Sequence, residues 1–378
     1  FSIPSDRLEL VRGTAVVTFI LTRAGSVVFD FAQSPDHVLS VRSNGGDVEY
    51  VVEDEHITIA EVPAGQASVE IEFFSGDQSL NRQADFMYTL FVPDRARFAF
   101  PVFDQPNIKA RYALELEIPS DWRAVANGPR LSREMDGERA TVLFGETAPI
   151  SSYLFSFAVG RFEVVEQERD GRTFAMYHRE TDQESVQRNA QDILALHHDA
   201  VAWMEDYTGI PYPFKKFEFV AMPSFQYGGM EHPGAILYRS EALFLDPTAT
   251  QNMELGRASL IAHETAHQWF GDLVTCKDWS HIWLNEGFAT YYTHLFAGHK
   301  DGPDAMLYGL HRDLNRIAAR SNDTTPMVNR KYEKPSDMFR KYGYMSYSKG
   351  SWVLHMLRSQ LGPDLFRQSV KMYLERHK

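Results

Sequence analysis

The apolar residues of this 378-residue chain change their period once, near residue 175, and that change limits the fold more than any other feature. Before it, "AVVTFILT", "SVVFDFA", "DVEYVV", "HITIAEV" and "ASVEIEFF" are short β-branched or aromatic runs separated by Gly, Asp, Asn and Pro. "RYALELEIP", "ATVLF", "YLFSFAVG" and "RTFAMYH" continue the series. Successive side chains of a strand point to opposite faces, so such runs can bury one face and solvate the other. Many short strands without intervening helices predict an antiparallel sandwich or a wide antiparallel sheet. After the change, Val186, Ile193, Leu196, Ala200, Val201 and Met204 recur near helical spacing, with Gly209 as the stop. A strand, "KFEFVAMP", follows, and helices are predicted over roughly 252–275, 284–299, 302–319 and 346–376. The expected class is α+β: a β domain over 1–175, then an α/β-to-helical domain over 176–378.

Composition narrows the function. A net charge of −13 lacks the basic face that a nucleic-acid surface needs. No apolar run approaches the roughly 18 residues of a membrane span. A single cysteine, Cys276, rules out an intrachain disulfide and leaves the compartment open between cytoplasmic and exported. The first residue is Phe1 rather than Met, so upstream residues, with any targeting segment, are expected to have been removed.

The chemistry concentrates in "AHETAHQWFGDLV", Ala262–Val274. On a helix, His263 and His267 lie about 40° apart around the axis and one turn apart along it, so both imidazoles can reach one ion. Glu264 stands on the same side, placed to bond a metal-bound water without being a ligand. A catalytic zinc needs a third protein ligand and one open position. "IWLNEGFATYY" offers Glu286, near the start of the next predicted helix and flanked by aromatics. Taken singly, these could be core histidines and a carboxylate favoured by a helix N-terminus. Together, two acidic groups beside two histidines in apolar helices need a cation to offset them. The expected set is one zinc ion on His263, His267 and Glu286, with Glu264 as general base to a zinc-activated water. A second stabiliser of the oxyanion is also needed; "MSYSKGSWVLHML" offers Tyr347, which taken alone reads as one of 17 tyrosines packed in a core and is singled out only by the resemblance that follows.

With these segments in view, the chain resembles the zinc aminopeptidase family that contains aminopeptidase N and the bifunctional leukotriene hydrolases. "HETAHQWFGDLVT" and "WLNEGFA" match the family's zinc block, with eighteen residues between the second histidine and the glutamate. "YGGMEH" stands where the family has Gly-x-Met-Glu-Asn, "YSKG" matches the segment of the oxyanion tyrosine, and "FPVFDQP" matches an N-terminal Phe-Pro-x-x-Asp-Glu-Pro signature. The resemblance implies a β-sandwich or saddle-like N-terminal domain and a thermolysin-like catalytic domain of small mixed sheet plus helices. It also implies cleavage of the N-terminal peptide bond of peptides with a free amine. Glu231 would hold that amine, while Gly228, Gly229 and Met230 let an extended backbone approach closely and Gln226 lines the pocket edge. Family members continue into a helical C-terminal domain, so a chain stopping at Lys378 is expected to be truncated.

Two positions depart from the pattern. His232, followed by Pro233, replaces the family's Asn, and Leu90 and Val92 stand where a second amine anchor is usual, leaving Asp94 or His232 as conceivable substitutes. That altered anchor keeps two alternatives open on the same zinc site, an endopeptidase and an epoxide hydrolase. A non-catalytic peptide-binding scaffold is the alternative of another class, opposed by the presence of a general base. Oligomeric state does not follow from the sequence.

Overall fold

The computed structural model describes residues 1–320 and 325–378. The chain divides into two compact units, Phe1–Arg161 and Phe162–Lys378.

The first unit is built from antiparallel ladders. Gly65–Phe74 pairs with Arg12–Leu21 along its whole length, from Arg12 opposite Phe74 to Leu21 opposite Gly65, and with Val38–Ser43 on its other side. Its Ala67, Val69, Ile71 and Phe73 are buried while the alternate residues are not, which is the period-2 signal of the sequence turned into a core face. Gly25–Asp30, His56–Val62 and Tyr50–Glu53 form a second sheet, and Leu114–Pro119, Arg139–Phe144 and Arg130–Asp136 a third. The "FPVFDQP" segment is a structural knot in this unit. Buried Asp104 accepts Ser152 Oγ at 2.7 Å and the Arg97 amide at 3.1 Å, and its own amide donates to Asp30 at 2.8 Å. Leu90 and Val92 are buried apolar side chains here.

The second unit opens with strands Glu163–Arg169 and Arg172–His178, which the periodicity assigns mostly to the β domain. The second of them pairs in parallel with Phe217–Met222, so both belong to the sheet of this unit. That sheet runs in the order 163–169, 172–178, 217–222, 236–239, 229–230, with Gly229–Met230 at its edge. The helices are α1 (Gln183–Thr208), α2 (Ser240–Leu243), α3 (Gln251–His267), α4 (Trp283–Asp301), α5 (Pro303–Ala318), α6 (Asp337–Arg340), α7 (Gly350–Leu361) and α8 (Pro363–His377). A π-helical turn, Met345–Lys349, leads into α7. Helix α1 is capped by Asp182, which accepts the Glu184 amide, and ends at Gly209 in the left-handed conformation.

Two helices differ from expectation. Helix α3 stops at His267 rather than near 275, because Gly271 takes φ +139 and the amides of Asp272, Leu273 and Val274 bond carbonyls five residues back. The long C-terminal helix is cut at Gly362, φ +80, and restarts on Pro363, whose ring suits a first turn and not an interior one. The core of this unit packs Phe217, Phe219, Trp269, Tyr291 and Tyr292 between sheet and helices, and it fixes the ends of α3 and α4 beside one another.

Candidate active site

Helices α3 and α4 bring three donor atoms together. His263 Nε2 and His267 Nε2 are 3.0 Å apart, and Glu286 Oε2 lies 3.4 Å from the first and 3.2 Å from the second. A tetrahedral zinc with bonds of about 2.0–2.1 Å places its ligands about 3.3–3.4 Å apart, so this triangle fits such an ion. Glu286 Oε2 is buried without a hydrogen-bond partner, the state of an oxygen kept for a cation.

Local structure prepares each donor. Because the chain leaves the helix at Gly271, the Phe270 carbonyl turns back to accept His267 Nδ1 at 3.0 Å. That bond fixes the ring so that Nε2 faces the triangle. Glu286 sits in the first turn of α4, where Gly287 meets Gly350 so closely that a Cβ on Gly287 would lie 2.9 Å from the Gly350 Cα. This glycine contact brings α7 and the π turn against the Glu286 end of α4. Tyr347, in the π turn, stacks its ring on His263 with centroids 5.9 Å apart and 18° between planes. Burial together with the nearby Glu286 carboxylate keeps the phenol neutral, well above its usual range.

On the other side of His267 stand Glu231 and Glu264, with ligand-type atoms of all three within 4.8 Å of one another. Glu231 Oε1 is 4.0 Å from His267 Nδ1. Gly229 backs directly onto Glu264: a Cβ there would fall 2.5 Å from Oε1. Burial raises the carboxyls of both Glu264 and Glu231, opposed by His267 and assisted by the neighbouring carboxylates. For Glu286 burial also acts upward, but the two imidazoles prevail and hold it at about 2. Burial works against a charged His267, yet Glu231 and Glu286 outweigh it and hold that imidazole well above its ordinary range. The acidic groups around His267 therefore favour positive charge at that ring, while burial and His267 lower His263.

The sequence candidates divide accordingly. His263, Glu264, His267, Glu286, Tyr347 and Glu231 form one cluster. Met230 is buried beside it on the edge strand, whereas Gln226 and Gly228 lie on an exposed loop outside it. Arg239 pins that loop, donating Nε to the Phe225 carbonyl at 2.9 Å and Nη2 to the Gln226 carbonyl at 3.0 Å. His232 is fully buried with both ring nitrogens unpartnered, and burial pushes it down to about 3, so it is a neutral imidazole. Sequence reasoning missed Gln268. Its Nε2 donates to the Glu231 carbonyl at 2.9 Å and the Glu264 carbonyl at 3.3 Å, while its Oε1 accepts the Tyr212 hydroxyl at 3.2 Å. Its place four residues after Glu264 on one helix face is the signal the sequence carried.

This site, a buried donor triangle flanked by a glutamate pair, has the donor set of a metal-ion site. Residues 194–378 match the peptidase family M1 domain, and residues 67–154 match the peptidase M1 N-terminal domain. The chain belongs to peptidase family M1. Among relatives, it is 33% identical over 295 residues to aminopeptidase M1 of Arabidopsis thaliana, covering 76% of this chain and 33% of that protein. It is 30% identical over 352 residues to probable aminopeptidase 2 of Sulfurisphaera tokodaii, covering 90% of this chain and 45% of that protein. Against the leucyl aminopeptidase of Saccharolobus solfataricus the figures are 28% over 352 residues, 90% and 44%. The chain thus spans between a third and just under half the length of these relatives.

Proposed function

We propose that this chain carries the catalytic centre of a zinc-dependent aminopeptidase that removes the first residue of peptides with a free N-terminus. The observation that carries the reading is the triangle of His263 Nε2, His267 Nε2 and Glu286 Oε2 at 3.0–3.4 Å, with Glu264 and Glu231 beside it. Aminopeptidase names among the relatives support it.

His263, His267 and Glu286 hold the ion, and zinc, when bound, supplies a Lewis acid that makes water a nucleophile at neutral pH and polarises the scissile carbonyl. Glu264 takes the proton of the attacking water and returns it to the leaving amine. Burial raises this carboxyl above its ordinary range, which favours its holding the proton between the two steps. Tyr347, a neutral phenol, donates a hydrogen bond to the carbonyl oxygen as negative charge develops there. Glu231 pairs with the substrate ammonium, and a buried ammonium without such a partner would be expensive. The fixed distance from Glu231 to the catalytic group restricts cleavage to the first bond. The edge strand Gly229–Met230 offers backbone groups to an extended peptide.

Glu264→Gln tests the reading. It keeps size and ligand set while removing the proton acceptor, so zinc stays at one ion per chain and turnover of an aminoacyl-p-nitroanilide falls by at least about 1000-fold. Turnover at the wild-type rate would refute the assignment.

A further inference from the structure

Next to the Tyr347 segment the second unit holds a buried carboxylate that the proposed reaction does not use. Asp313, on α5, is 2% exposed. Its Oδ2 accepts His294 Nε2 from α4 at 2.8 Å, and its Oδ1 accepts the Ser348 hydroxyl at 2.8 Å. Exposed Arg316, one turn further along α5, approaches Oδ1 at 3.7 Å. Burial alone would push this carboxyl up, but the bonds from His294 and Ser348 prevail and hold it below its ordinary range. One charged group therefore joins three elements: α4, which carries Glu286; α5; and the π turn, where Ser348 directly follows Tyr347.

The surroundings are shaped to this contact. Gly309 lets α5 approach the imidazole, since a Cβ there would overlap His294 Nδ1. Trp352 Nε1, one turn past the π segment, donates to the Leu310 carbonyl at 3.0 Å and ties the same stretch to α5 a second time. A π turn is a strained form of helix that persists where its neighbours hold it, and such turns gather at functional sites. Charge-assisted hydrogen bonds in a dry interior are short and directional enough to supply that hold.

We propose that Asp313 is a positioning residue for hydrolysis. Through Ser348 it fixes the π turn and hence the Tyr347 hydroxyl, and through His294 it registers that turn against the helix of Glu286. The inference rests on the role proposed for Tyr347.

The test uses Asp313→Ala and Ser348→Ala, each alone and combined with Tyr347→Phe, with kcat, KM and zinc content measured for all. A misplacement of about 1 Å can lower a rate roughly 100-fold, so each single variant should lose about ten- to hundredfold in kcat with KM changed less than about twofold. Zinc stays stoichiometric, and Ser348→Thr, which restores the hydroxyl, recovers activity. In the Tyr347→Phe background neither substitution lowers kcat further, because the group they position is gone. Equal loss in both backgrounds would overturn the proposal, as would a raised KM at unchanged kcat. Wild-type kinetics in Ser348→Ala would do the same, and this variant carries the test if Asp313→Ala does not fold. Wild-type kcat in Tyr347→Phe alone would refute the role of the tyrosine itself, and the proposal with it.

Discussion

Gly228 and Gly229 are adjacent, and neither adopts a positive φ, so an alanine at either position meets no backbone strain. They differ in what the added methyl would touch. At Gly229 it would lie 2.5 Å from Oε1 of Glu264 and 2.6 Å from both Cδ and Cγ. Ordinary contacts between such atoms are about 3.5–4.0 Å, so the Glu264 side chain must retreat by roughly 1 Å. Glu264 is only 4% exposed and has no solvent into which to swing. Displacing a catalytic group by about 1 Å costs on the order of 100-fold, or about 2.7 kcal/mol in the barrier. At Gly228 the methyl would meet the terminal Cδ1 of half-buried Leu260 at 3.1 Å, a group that can turn aside. The expected outcome is that Gly229→Ala lowers kcat/KM on an aminoacyl-p-nitroanilide about 100-fold with zinc retained, while Gly228→Ala stays within about threefold. The reasoning fails if Gly229→Ala keeps near wild-type activity. It fails equally if the two variants lose the same amount, since the steric difference would then be irrelevant.

Three further expectations concern stability. Adding zinc to the metal-free chain at 100 times its dissociation constant stabilises by about 2.7 kcal/mol, a rise of roughly 5–11 °C in Tm by calorimetry, and no shift would refute the cation site. His197 is fully buried, stacked on Phe219 with centroids 3.9 Å apart, and burial pushes it down to about 3. The folded chain keeps it neutral, so unfolding takes up a proton below its unfolded value of about 6.5; stability is complete above that pH and falls as pH drops toward 3. Between pH 7 and 5 the wild type should lose about 2 kcal/mol more than His197→Gln by urea denaturation, and equal losses would count against the buried neutral histidine. Gly287→Ala adds a methyl 2.9 Å from the Gly350 Cα, where only backbone could yield. Overpacking of about 1–3 kcal/mol exceeds the gain of about 1 kcal/mol in helix propensity, so the urea midpoint falls at constant m-value, whereas a raised midpoint would contradict the close crossing.

Much of this architecture follows from local pattern. The ten β runs named from the sequence all overlap strands of the structure, because alternation along a strand is a property of neighbouring residues. The pairing of His263 with His267 likewise needs only the helical period. The end of α3 was not legible: Trp269, Phe270, Leu273 and Val274 continue an apolar spacing, and only the turn at Gly271 shows that the Phe270 carbonyl is spent on His267. The two strands at 163–178 look like their predecessors, and it is their parallel partner, Phe217–Met222, that assigns them to the second unit.

What the sequence determined by itself was the set of elements and the chemistry each could offer: strands first, helices after, two imidazoles and a glutamate on one helix face, a second glutamate at the start of the next. What the tertiary structure decided was which groups from different elements meet. The Glu231–Gln268 link spans 37 positions, the Ser348–Asp313 link 35, and the Tyr212–Gln268 link 56. A local period carries no information over such separations. They are set by how the core packs sheet against helix, and by the two glycines that let α4 and α7 touch.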